Sequence, residues 1–125
     1  MKLLLDTYIF LWLRNDSKKV SPQALTTCRN RDNTLYLSIA SIWEIQIKHQ
    51  LGKLQLSVSL EELLDQQCRE NGLQWLPVET KHILALYQLP WHHKDPFDRI
   101  LIAQTMVEEA YLVSADDWFK EYPVK

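Results

Sequence analysis

The sequence predicts an α/β domain: a central, short, mostly parallel sheet flanked by helices. Three observations predict it. Short, largely apolar runs of strand length stand at Leu3-Leu4-Leu5, Leu35-Tyr36-Leu37, Gln74-Trp75-Leu76 and Tyr111-Leu112-Val113. Segments with helix-start chemistry lie between them, and parallel strands need such crossovers. Only two Gly occur, and no linker, repeat or low-complexity tract breaks the 125 residues, so residues 1–125 are read as one domain.

The elements follow in order. The first strand ends at Asp6, and an apolar stretch from Tyr8 to Leu13 continues as a helix. Ser21-Pro22 offers an N-cap followed by Pro at the first helical position. The second strand leads into a helix from Ile39 to Leu51, and Ser59 with Glu62 forms a capping box for the next. Gly52 and Gly72 each follow a helical stretch, where a left-handed residue ends a helix at low cost. Asp95-Pro96 repeats the cap-plus-Pro signature before a long apolar run, and Ser114 can cap the last helix.

Composition narrows the class. With 46% hydrophobic and 24% charged residues the chain is neither disordered nor fibrous. A domain of this size buries roughly two-thirds of its unfolded surface, so it folds without a disulfide or metal staple. Cys28 and Cys68 are expected as packed thiols of a reducing compartment rather than as a bridge. Asp6 interrupts the first apolar run and Tyr8 to Leu13 is too short to span a bilayer, so a soluble cytoplasmic protein without a membrane segment is expected. The net charge of −2 sets up no overall field attracting nucleic acid. Setting four carboxylates aside leaves +2, a mildly basic remainder.

Those carboxylates sit where ligands bind in such sheets, beyond the carboxyl ends of the strands. Asp6 follows the first strand, Asp116 and Asp117 follow the last, Asp98 lies in the first turn after Asp95-Pro96, and Glu44 lies on the helix after the second strand. Each has a plain structural role open to it. Asp6 and Asp95 can be N-caps, and Asp95 is read as one. Asp98 can be the reciprocal carboxylate of that cap, and Asp116 and Asp117 first-turn acids. Glu44 can box with Ser41 or pair with Lys48 one turn on. Two details weigh against these roles jointly. On a helical wheel Glu44 borders the arc of Ala40, Trp43, Ile47 and Leu51, and Asp98 has Leu101 and Ile102 three and four residues on. Two carboxylates about 4 Å apart repel by ~4 kcal/mol at an effective dielectric of 20. A cation must neutralise such a cluster, and oxygen ligands alone suit Mg²⁺ or Mn²⁺.

Other candidates carry less. A zinc site could draw on His92, His93 and Asp95 with His82 outside them, but adjacent His in an extended loop point apart and no ligand pair at helical spacing follows. The Trp91-His92-His93-Lys94 stretch is read either as a solvated loop or as an RNA contact by stacking and phosphate attraction. Trp12, Trp43 and Trp118 lie in apolar patterns and are expected in the core; Trp75 is expected as a strand residue.

Four blocks together resemble PIN-domain ribonucleases, in particular the VapC-like toxins of type II toxin–antitoxin pairs. They are Leu4-Leu5-Asp6-Thr7, Ser38-Ile39-Ala40-Ser41-Ile42-Trp43-Glu44-Ile45, the run from Asp95 to Gln104, and Ser114-Ala115-Asp116-Asp117-Trp118-Phe119. Leu51-Gly52-Lys53-Leu54 is also similar, and the likeness spans essentially the whole chain in order. The resemblance implies a PIN-like three-layer fold and a metal-dependent endoribonuclease using Mg²⁺ or Mn²⁺. Its acidic tetrad and metal site fall on Asp6, Glu44, Asp98 and Asp116, with Asp6 and Asp98 as principal metal ligands and Glu44 and Asp116 completing the shell of a second ion or orienting waters. Asp98 is chosen over Asp95 because it directly precedes the Arg-x-Leu-Ile-Ala run, and Asp116 over Asp117 by the offset to Phe119. Tyr8 departs from the family, in which many members carry His after Asp-Thr. The resemblance further implies an RNA substrate, a cognate antitoxin with basic and apolar anchors, and a homodimer. The apolar stretches from Tyr8 to Leu13 and from Ser59 to Leu64 are expected to serve such partners. The alternatives are a PIN ribonuclease of RNA processing or decay without an antitoxin, and a catalytically silent binding module of the same fold.

Overall fold

A computed structural model describes residues 1–90 and 95–114. Leu3, Leu4 and Leu5 are 1%, 0% and 1% exposed because β1 (Lys2–Leu5) is covered on both faces and both edges. Burying each contributes roughly 1.5–3 kcal/mol. The other strands form where the apolar runs predict them: β2 (Thr34–Ser38), β3 (Gln74–Leu76) and β4 (Tyr111–Val113). All pairings are parallel, in the order β3-β2-β1-β4. Leu3 lies beside Leu35 on one side and beside Tyr111 on the other.

The chain thus builds outward from β1 through β2 to β3, then crosses back to lay β4 on the far side of β1. The reversal makes a crevice at the carboxyl ends of β1 and β4, the place where open α/β sheets bind ligands. Side chains alternate across the sheet. Leu3, Leu5, Leu35 and Leu37 join Ile9, Phe10, Ile45 and Leu63 in the larger core, whereas Leu112 packs with Leu89, Ile102 and Ala103 on the smaller one.

The helices are α1 (Thr7–Asn15), α2 (Pro22–Arg29), α3 (Ile39–Gln50), α4 (Leu60–Asn71), α5 (Thr80–Ala85) and α6 (Pro96–Val107). Their ends carry the expected chemistry. Ser21 and Ser59 accept hydrogen bonds from the N–H groups of Ala24 and Glu62, and Asp95 accepts from Phe97 and Asp98. Gly72 ends α4 at φ 65°, a conformation that costs other residues a Cβ clash. Expectations for Trp118 and for a last helix capped by Ser114 fall outside the described residues.

Three expectations are corrected. Trp43 is not in the core but 63% exposed, edge-on to Phe97 of α6 at 5.3 Å. The buried side of α3 runs through Ala40, Ser41, Glu44 and Ile45, so Glu44 sits within that face rather than at the border of an apolar arc. The apolar residues of α1 and α4 do not form a free surface either. Ile9, Phe10, Leu11 and Leu63 are buried in the larger core, with Tyr8, Trp12, Leu13, Leu60 and Leu64 packed against it. Exposed apolar side chains gather instead on α5 and the 3-10 turn after it, at Ile83, Leu84 and Tyr87. Trp75 does lie in a strand, on the sheet edge. Cys28 and Cys68 are both free thiols, and burial pushes Cys28 up to about 11.

Candidate active site

Three elements bring acids to the carboxyl edge of the sheet. Asp6 follows β1 and is 2% exposed. It occupies the N-cap position of α1, yet its carboxylate makes no capping hydrogen bond. Its backbone N–H continues the sheet to the Val113 carbonyl at 2.9 Å, and Ser114 Oγ donates to Asp6 Oδ2 at 3.3 Å. Asp98 stands in the first turn of α6, half-buried. Because α6 ends just before β4 begins, its first turn lies toward the far, carboxyl end of that strand. Trp43 against Phe97 ties this turn to α3.

Glu44 is 3% exposed on α3 and fully engaged. The Thr7 hydroxyl donates to Glu44 Oε1 at 2.8 Å and is in hydrogen-bond contact with Ser41 Oγ at 3.0 Å. Lys48 Nζ donates to Glu44 Oε2 at 2.9 Å and to the Tyr8 hydroxyl at 2.9 Å. Burial alone lowers the affinity of the Lys48 ammonium for its proton, but the hydrogen bonds to Glu44 and Tyr8 more than offset this and raise its pKa well above the ordinary value. The pairing of Glu44 with Lys48 open in the sequence is therefore real, and the acid is buried as well. Helix α3 is capped by Ser38, so Glu44 and Ser41 form no capping box.

Asp95 is the cap of α6 and is spent on the N–H groups of Phe97 and Asp98 at 2.8 and 3.4 Å. Arg99 follows, 4% exposed, donating to the carbonyls of Pro90, Leu86 and Leu89 at 2.8, 3.2 and 3.4 Å. A buried guanidinium is tolerated when its fork of donors finds acceptors, and here it pins the turn after α5 to α6. Asp116, Asp117 and residues 91–94 lie outside the described residues.

A second cluster lies at the other end of α6. Ligand atoms of Glu79, His82 and Glu108 fall within 4.8 Å of one another, a spacing that Asp6, Glu44 and Asp98 do not meet as a set among the described residues. The ring of His82 is 0% exposed. Its Nδ1 accepts the Glu79 backbone N–H at 3.0 Å, so the ring proton sits on Nε2 and is donated to Glu108 Oε2 at 2.7 Å. Neither nitrogen keeps a lone pair for a metal. The contact from His82 holds the Glu108 carboxyl below its ordinary value, against the opposing effect of burial, and Lys81 at 3.1 Å adds to it. This is a structural clasp between α5 and α6. On sequence His82 is no more than an outside zinc ligand; its partners in the fold stand 3 and 26 residues away, too scattered for a spacing rule.

The acidic edge, by contrast, offers only oxygen donors from its carboxylates, and those fit a hard divalent cation. Comparison with known proteins agrees with the fold. The PIN domain family matches residues 3–125. No curated protein sequence matches the chain. Among solved structures the chain is similar to the crystal structure of VapBC2 from Rickettsia felis bound to a DNA fragment from its promoter. The TM-score is 0.73 at 19% identity, over 98% of this chain and 94% of that one. The chain belongs to the PIN domain family of nucleases.

Proposed function

We propose that this PIN domain is a metal-dependent endoribonuclease and the toxin of a type II toxin–antitoxin pair. One observation carries the enzymatic part: Asp6 is buried at the β1/β4 switch point, and its carboxylate is not used to cap α1. Asp6 and Asp98 would hold Mg²⁺ or Mn²⁺, while Glu44 and Asp116 would complete the shell of a second ion or orient waters. The ion, when bound, supplies an activated water and charge relief on the phosphoryl oxygens. The protein's own work is positioning. Thr7 fixes Glu44 and Ser114 steadies Asp6. No Ser, Cys or His nucleophile is needed, consistent with the engaged state of His82 and the raised thiol of Cys28.

Partners follow the same reading. The similarity to the VapBC2 structure supports an antitoxin partner, and such a partner would offer basic side chains to the acids. The exposed Ile83, Leu84 and Tyr87 support a protein-covered face, as in a homodimer. No helix among the described residues is long and apolar enough to cross a membrane. The cytoplasmic location belongs to the toxin reading itself, since the RNA it would cut is made there. Purified protein is expected to cut single-stranded RNA with Mn²⁺ or Mg²⁺ and to stop in EDTA. Cleavage that survives thorough chelation overturns the mechanism. A gene neighbour that neither binds the protein nor inhibits it removes the antitoxin and leaves a nuclease of RNA processing. Failure to cut any RNA with either ion leaves a binding module.

A further inference from the structure

One positive charge is already built into the acidic edge. Lys48 lies one turn beyond Glu44 on α3, and its ammonium is 2.9 Å from Glu44 Oε2 and 2.9 Å from the Tyr8 hydroxyl, with the Tyr8 ring centroid at 4.9 Å. Glu–Lys pairs at this spacing are common and weak on helix surfaces. This one differs because the acid's side chain is 4% exposed and the lysine's 30%. A carboxylate so far out of water must be paired or neutralised. Its other oxygen accepts from Thr7, so both face the seam between α1 and α3. Glu44 accordingly does not join Asp6 and Asp98 in a tight set of ligand atoms among the described residues.

A lysine ammonium has three donors and no acceptor, so it cannot enter a metal's coordination shell. It does repel any dication brought close to it, and more strongly in a partly dry site than in water. We propose that Lys48 is a positioning residue whose ammonium takes the place of a second divalent ion, so that Asp6 and Asp98 bind one metal ion directly and Glu44 acts only through its hydrogen bonds. Tyr8 fits this role: its hydroxyl accepts from Lys48 and its ring centroid lies 4.9 Å from the ammonium, so the cation is anchored by Tyr8 on α1 and by Glu44 on α3. The proposal rests on the metal-dependent reading of the acidic edge.

The test is the number of Mn²⁺ ions bound by the full chain, read by isothermal titration calorimetry and cross-checked by Mn²⁺-dependent melting. Wild type and Lys48→Arg are expected to bind one ion. Lys48→Met, which frees Glu44 and removes the repulsion, is expected to bind two. Should the Met variant fail to fold by circular dichroism, Lys48→Gln keeps a donor for Glu44 without the charge and carries the same expectation. Two ions in wild type, or one ion in the folded neutral variant, overturns the role of Lys48 and leaves the nuclease reading intact. No Mn²⁺ bound by any of these proteins removes the metal-dependent reading, and this proposal with it. A purely structural lysine would change the melting temperature but not the ion count.

Discussion

Helix α6 has carboxylates near each end, a tight cluster at one and a spread set at the other, and the two are built on opposite logic. At its C-terminal end Glu108, His82, Glu79 and Lys81 crowd together, and every nitrogen of the imidazole is already committed. Near its N-terminal end the acids come from different elements, further apart, with Asp6 buried at a strand end and its capping role left unused. Crowding of potential ligands alone does not make a metal site, because at the C-terminal end the imidazole's nitrogens are already spent on Glu79 and Glu108.

The sharpest break of this comparison is activity. Asp6→Asn is expected to lower RNA cleavage by at least ~100-fold, since loss of a metal ligand costs more than loss of its supporting shell. Glu79→Gln, in the other cluster, should leave cleavage unchanged at matched folded concentration. Equal losses in a gel-based cleavage assay would erase the distinction.

A smaller effect separates the two acids of the α6 first turn. Asp95→Ala removes a cap and should destabilise by ~1 kcal/mol, equally with and without Mn²⁺. Asp98→Asn removes one of several like charges, so it should melt at or above wild type in EDTA and gain less from added Mn²⁺. If Asp98 serves only the helix dipole, the same change instead costs about 0.3–1 kcal/mol in EDTA with the metal response intact. Thermal melts with and without metal distinguish these signs.

The smallest effect concerns acid. Glu108 is held below its ordinary 4.5 in the folded protein, so its share of stability is present above that pH and lost as pH falls through the lower, folded value. Glu108→Gln should flatten the acid limb of a urea-midpoint profile below pH 4.5 and leave neutral pH without this titration. An unchanged acid limb would mean that the clasp does not store proton-linked stability.

The strands and helix starts were legible because they rest on local chemistry: apolar runs for β1 to β4, and Ser21, Ser59 and Asp95 before their helices. Asp95 was separable from Asp98 for the same reason. The face of α3 was not legible from hydrophobicity. That helix buries Ser41 and Glu44, which hydrogen-bond to Thr7, and turns Trp43 outward, so an apolar wheel rotates the wrong side inward. Nor was the clasp legible, since Glu108 meets His82 only through the packing of α5 on α6. Long-range polar pairing leaves no period in a sequence.

On the proposed toxin reading, the strand order also bears on when the chain becomes dangerous to the cell that makes it. Synthesis runs from the N-terminus, so Lys2–Leu5 leaves the ribosome long before Tyr111–Val113, its neighbour on the far side. The crevice beside Asp6 has only one wall until β4 has been translated and has threaded back across the sheet. Such a distant pairing is slow to close, because the loop entropy must be met before the contact forms. A nascent chain therefore carries Asp6 and Glu44 for most of its translation without an assembled edge, and on that reading an inhibitor made earlier would have that interval in which to accumulate.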